Sequence, residues 1–67
     1  MKNRVQEYRW KRGWSVQQLA RISKVNRSTI VRLEDGSTKS PSLDVAFALA
    51  DAWKVDVRIL FYKDEYI

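Results

Sequence analysis

Residues 15–34 read SVQQLARISKVNRSTIVRLE, and the fold follows from how this stretch is read. Ser15 and Gln18 form a capping box, in which the Ser hydroxyl and the Gln amide each satisfy a backbone N–H left free at a helix start. Leu19, Ala20 and Ile22 are the buried stripe expected of that helix. A turn is expected at Ser23–Val25. Asn26 then caps a second helix running to about Asp35, with Ile30 and Leu33 facing inward. Two short helices joined by a brief turn, the second opening with small polar and basic side chains, make a helix-turn-helix over about residues 15–35.

Outward from this unit the punctuation is sparse. Gly13, Gly36 and Pro41 separate stretches with helical periodicity. A helix is expected from about Lys2 to Arg12, with Val5 and Tyr8 inside and Gly13 closing it. Beyond a polar loop from Ser37, Ser42 caps a helix over Leu43–Trp53, where Asp44 suits the positive end of the helix dipole. Its residues Leu43, Ala46, Phe47, Leu49, Ala50 and Trp53 are expected in the core. Asp56 caps a short helix, about Val57–Phe61, and the tail Tyr62–Ile67 alternates as a short strand that could pair with the N-terminal residues. The expected fold class is therefore all-α: five helices in one domain spanning residues 1–67, with a short C-terminal strand.

Composition narrows the function. A chain of 67 residues buries only about 60% of the surface its unfolded form exposes, so its stability is marginal. With no Cys and no His, disulfides and the common zinc patterns are excluded, and neither a metal nor another cofactor is expected. No apolar run is long enough to span a membrane and no secretory signal opens the chain, so the expected location is cytoplasmic. No phosphate-cradling Gly loop or convergent carboxylate pair is visible, so an enzyme is not expected. The net charge of +5 is uneven: residues 1–40 carry ten Lys/Arg against three acids, whereas residues 41–67 carry three against five. Such asymmetry fits one basic face for a polyanion, although it also fits a solubilising surface.

A helix offered to the major groove of B-DNA reads base edges from its outer face. Here those residues are Asn26, Arg27, Ser28 and, one turn on, Arg32. Arg pairs bidentately with guanine and Asn with adenine, while Ser serves several bases. Plainer roles exist for each: Asn26 as a cap alone, the arginines as solvated surface, Thr29 as packing. Periodicity by itself supports only a small helical bundle.

The segment Ser15–Glu34 resembles the helix-turn-helix of the phage-repressor and Cro-type family, whose pattern runs S-x-x-x-L-A, then V-s-R-S-T-I-x-R-h-E. Glu34-Asp35-Gly36 with Pro41-Ser42-Leu43 resembles that family's E-N-G…P-S-L segment, and Val55–Phe61 its V-s-h-x-x-h-F ending. The similarity covers about residues 4–61 and is nearest to short stand-alone regulators of the cytolysin-repressor type. It implies a lambda-repressor-like five-helix bundle that binds operator DNA as a dimer. It places Asn26, Arg27, Ser28 and Arg32 at base edges, and Ser15 with the Val16 backbone N–H on a phosphate, which suits a helix N-terminus. Thr38, Lys39 and Ser40 fall in a phosphate-contacting loop, and Arg9 with Glu34 matches a structural ion pair. Three departures stand out. Val16 stands where Gln is frequent and cannot hydrogen-bond a base; Lys24 and Lys54 stand where Gly is frequent; the loop Ser37–Ser40 is longer by one residue.

One reading helix contacts too few base pairs for useful specificity, so a homodimer is expected on half-sites roughly 34–36 Å apart. Its candidate interface is Ile59, apolar on the outer face of the last helix, with Val57 and Tyr62 nearby. The leading expectation is a transcription regulator on double-stranded DNA, a repressor because no further element to sense a ligand or recruit polymerase is visible. The alternative is a protein-binding module, an antitoxin or adaptor, with Trp10, Trp14 and Trp53 as possible anchors.

Overall fold

Four residues with left-handed backbone mark where helices stop: Gly13, Lys24, Gly36 and Lys54. The computed structural model describes residues 2–63. Within them lie β1 (Lys2–Asn3), α1 (Val5–Arg12), α2 (Val16–Ser23), α3 (Arg27–Asp35), α4 (Leu43–Trp53), α5 (Val57–Leu60) and β2 (Phe61–Tyr62). The fold is thus mostly helical with one small sheet, and α2, the following turn and α3 form the expected helix-turn-helix.

Each start has its own cap. Ser15 Oγ accepts from Gln18 N at 3.1 Å while the Ser15 N–H donates to Gln18 Oε1 at 2.8 Å, completing the capping box of α2. Asn26, Ser42 and Asp56 cap α3, α4 and α5 through side-chain oxygens. The Arg58 backbone N–H on Asp56 holds that carboxyl below the usual carboxylate range. The cap residue of α1, Arg4, supplies no side-chain bond. Asn3 substitutes: its Oδ1 accepts from Val5 N and its Nδ2 donates to the Leu33 carbonyl on α3.

The first helix is shorter than the sequence implied, starting at Val5 instead of Lys2. Lys2 and Asn3 are extended because they pair antiparallel with Tyr62 and Phe61. That pairing also ends α5 one residue early, at Leu60. The tail strand thus exists at Tyr62, joined to the N-terminal residues; residues 64–67 of the expected strand lie outside the described ones.

α2 packs on α3 and α4, α1 on α3, and α5 on α4. Val5, Leu19, Ile30, Leu33, Leu49 and Leu60 are the largest fully buried side chains. Trp53 seals one flank, stacking on Trp14 at 5.8 Å between centroids and meeting Tyr8 edge-on at 5.6 Å. Three expected core residues are outside. Ile22 is 48% exposed because the α2 stripe runs through Leu19 and Ser23 instead. Ser23 is tolerated there because its hydroxyl donates to the Leu19 carbonyl and accepts from Val25 N. Leu43 and Phe47 are 69% and 48% exposed, since Ala46, Leu49, Ala50 and Trp53 fill the inner face of α4 and leave the flanking row to solvent.

Lys24 and Lys54 take the left-handed conformation despite their side chains, at φ 63° and 55°. That backbone costs a non-glycine residue about 1–2 kcal/mol, part of which Gly returns through its freer unfolded chain. Lys54→Gly should therefore raise stability by about 0.5–1 kcal/mol, measured as a shift in the urea midpoint at constant slope.

Candidate nucleic-acid interface

α3 presents its N-terminal half outward because Ile30 and Leu33 hold its other side in the core. Asn26, Arg27, Ser28 and Arg32 are all exposed, on one outer face with Val31 between them. The Arg27 side chain makes no hydrogen bond or ion pair among the described residues, and Arg32 makes no ion pair there. The fork of Arg27 is therefore open to a ligand at no cost in broken bonds.

Asn26 is less free. Its Oδ1 accepts from Ser28 N at 2.9 Å and from Ser28 Oγ at 2.8 Å, which uses both lone pairs. While it caps, Asn26 can donate through its amide nitrogen but cannot grip adenine bidentately, which requires donor and acceptor together. Ser28, having given its hydroxyl proton to Asn26, is left as an acceptor. The two residues that look like independent readers in the sequence are one hydrogen-bonded unit.

The phosphate candidates lie on both sides of α3. Ser15 is exposed at the start of α2, and its hydroxyl, though accepting from Gln18 N, retains its proton to donate. The Val16 N–H begins the same helix and has no carbonyl to meet within it. Beyond α3 the loop folds back on the helix end: Ser37 N donates to Asp35 Oδ1 and Thr38 N to the Arg32 carbonyl. Ser37, through its side chain and then its backbone N–H, holds the Asp35 carboxyl below the usual range. Thr38 is half-buried by this tether, leaving Lys39 and Ser40 exposed beside it.

Two features escaped the sequence reading. Arg21 and Lys24 line a groove with Gln17, Asn26 and Arg27, extending the positive rim of α3 back along α2. Their spacing across the turn carried that signal. Separately, Leu43, Val57 and Phe61 line an apolar groove that Ser40 and Pro41 border. Ile59 nearby is 46% exposed, while Val57 and Tyr62 are half-buried. Tyr62 lies under the Arg4 guanidinium at 4.1 Å, and the same Arg4 donates to the Ile59 carbonyl. The tryptophans divide: Trp14 and Trp53 are committed to internal stacking, and Trp10 is 64% exposed.

α1 and α3 are joined by Arg9 and Glu34. The guanidinium donates from Nε to Glu34 Oε2 at 2.7 Å and from Nη2 to Oε1 at 2.8 Å, while Nη1 reaches the Trp14 carbonyl at 2.9 Å. The Glu34 bonds raise the Arg9 pKa further above its already high value.

Residues 5–60 match the helix-turn-helix family, which is most of the chain. The chain belongs to that family, in its phage-repressor and Cro-type form. Two relatives from Archaeoglobus fulgidus, each described as an uncharacterized HTH-type transcriptional regulator, are 37% and 35% identical over 65 residues. Those alignments cover 97% of this chain and 91% and 90% of the relatives. No solved structure matches the chain.

In this helix-turn-helix protein Lys24 takes the left-handed turn that glycine would take more cheaply. No cluster of three or more His, Cys, Asp or Glu is placed to hold a metal among the described residues, and no helix there is long and apolar enough to cross a membrane.

The Arg9–Glu34 side chains keep only 12% and 8% of their surface exposed. Removing either partner strands the other charge. Arg9→Ala should cost about 3 kcal/mol by urea unfolding, whereas the Arg9→Met/Glu34→Leu double substitution should cost far less.

Proposed function

We propose that this chain is a sequence-specific DNA-binding transcription regulator, a repressor that occupies operator DNA as a homodimer. One observation carries the reading: the outer face of α3 is turned to solvent, with no ion pair to the Arg27 or Arg32 guanidinium group among the described residues. Arg27, Ser28 and Arg32 face base edges, Arg27 and Arg32 as guanine-reading forks and Ser28 as an acceptor for an exocyclic amine. Asn26 caps α3 and donates from its amide. Ser15 and the Val16 N–H take a phosphate on one flank of the groove, and Thr38, Lys39 and Ser40 take another across it. The +5 net charge supplies the non-specific attraction. The Archaeoglobus relatives described as transcriptional regulators support the same assignment.

The homodimer is assigned to the surface formed by α5 and β2, through Val57, Ile59 and Tyr62. Exposed Leu43 and Phe47, one turn apart on the adjoining helix, extend that apolar face. Repression follows from occupancy, since bound protein excludes other proteins from the same duplex. The whole of residues 1–67 acts as one DNA-binding domain in this reading. A protein-binding role has one observation in its favour, the exposed indole of Trp10.

Duplexes selected by the purified protein from a random pool provide the test. Binding should weaken steeply with salt, log K falling by about 0.9 per phosphate contact against log salt. Arg27→Ala should cost about 1–3 kcal/mol and relax preference at one base position. Lys39→Ala should instead weaken all sequences alike and flatten the salt slope. Retained DNA affinity that ignores salt and sequence, or no affinity, would refute the reading and favour a protein partner. Ile59→Asp should halve the mass seen by light scattering; an unchanged mass removes the dimer face.

A further inference from the structure

Val31 is 44% exposed in the middle of the α3 face that carries Arg27, Ser28 and Arg32. It has no hydrogen-bonding group, and Ile30 and Leu33 already close the core beneath it. Val31 lines a shallow groove with Gln6, Val16, Glu34 and Asp35. Val16 opens α2 and packs partly on the core, so two apolar side chains from different helices line one groove at the surface proposed to face DNA.

A phosphate is disfavoured, because Asp35 stands in the same groove with its carboxyl stabilised as the anion by Ser37. Glu34 pairs with Arg9, each of whose three nitrogens already donates to Glu34 or to the Trp14 carbonyl. A base edge offering hydrogen-bond donors or acceptors would lose its water against Val31 and gain nothing. The one apolar group that B-DNA displays in the major groove is the C5-methyl of a pyrimidine, carried by thymine.

We infer that Val31, flanked by Val16, forms an apolar seat for a thymine C5-methyl group and specifies thymine at one operator position. The inference rests on the proposed DNA reading of α3 and deepens it. It also gives a physical sense to Val16, which cannot hydrogen-bond but can complete an apolar wall. Discrimination at this position comes from the methyl group and not from the Watson–Crick partner.

Uracil tests this directly, because it presents the same hydrogen-bonding edge as thymine without the methyl. Each thymine of a selected high-affinity duplex is replaced in turn by deoxyuridine, and dissociation constants are measured by fluorescence anisotropy. At one position per half-site the wild-type protein should lose about three- to fivefold in affinity, the value of one methyl group taken out of contact. Val31→Ala should bind the thymine duplex more weakly and no longer distinguish uracil there, while still discriminating guanine at the Arg27 position. Replacing cytosine by 5-methylcytosine at a variant site bearing cytosine at that position should restore part of the lost affinity. Val31 is on the surface, and an unchanged urea midpoint for Val31→Ala checks that the fold is intact. Wild-type protein that binds its selected duplex specifically yet tolerates uracil at every position overturns the methyl seat and leaves the DNA-binding function standing. Equal uracil discrimination by wild type and Val31→Ala places the methyl contact elsewhere and overturns it too. Failure to select any duplex overturns both.

Discussion

The Arg9 guanidinium is the joint on which the architecture turns. It ties α1 to α3 through Glu34 and, with its remaining nitrogen, fixes the segment between α1 and α2 through the Trp14 carbonyl. Three elements are thus set relative to one another by one planar group. The pair has little water around it, so it contributes orientation more than net stability; an apolar pair of similar volume would hold the bundle together equally well. What such a pair would not provide is the fixed angle of the fork, which locks the C-terminal end of α3 while its N-terminal half faces out. A helix anchored at one end and open at the other suits insertion into a groove.

Much of this was legible in the sequence, because the cues were local. Ser15 with Gln18, Asn26, Ser42 and Asp56 announce helix starts by chemistry that acts within three residues, and all four cap as expected. Ile30 and Leu33 followed from periodicity. The failures have a common cause in tertiary choice. Helical spacing admits either Ile22 or Ser23 into the stripe of α2, and Ser23 lies inside, where its hydroxyl finds partners. Leu43 and Phe47 lie at the edge of an apolar sector that is wider than the surface it covers. The pairing of Lys2–Asn3 with Tyr62–Phe61 joins segments nearly a chain length apart, and no local pattern at Lys2 or Asn3 distinguishes such a strand from a first helical turn.

At the candidate interface the sequence names the surface residues, but it does not show how they share their hydrogen bonds. Asn26 and Ser28 read as two separate side chains and act as a closed pair. Lys24 and Arg21 gain meaning only once the turn brings them beside Arg27. Val31 reads as an ordinary helical residue until the packing of Ile30 and Leu33 leaves it outside. Hydrophobic spacing therefore located α3, and the arrangement of neighbouring polar groups determined what each position can donate or accept.

The small sheet makes the chain a nearly closed ring. β1 and β2 bring Asn3 against Phe61, and the Arg4 side chain clasps the same seam over Tyr62. Ring closure of this kind carries a loop entropy that grows only slowly with length. Each strand is only two residues long, yet Phe61 and the adjoining Leu60 are buried in the core, so opening the seam would uncover apolar surface. Because Asn3 in that seam also donates to the Leu33 carbonyl, fraying of the N-terminal residues would be felt at the C-terminal end of α3.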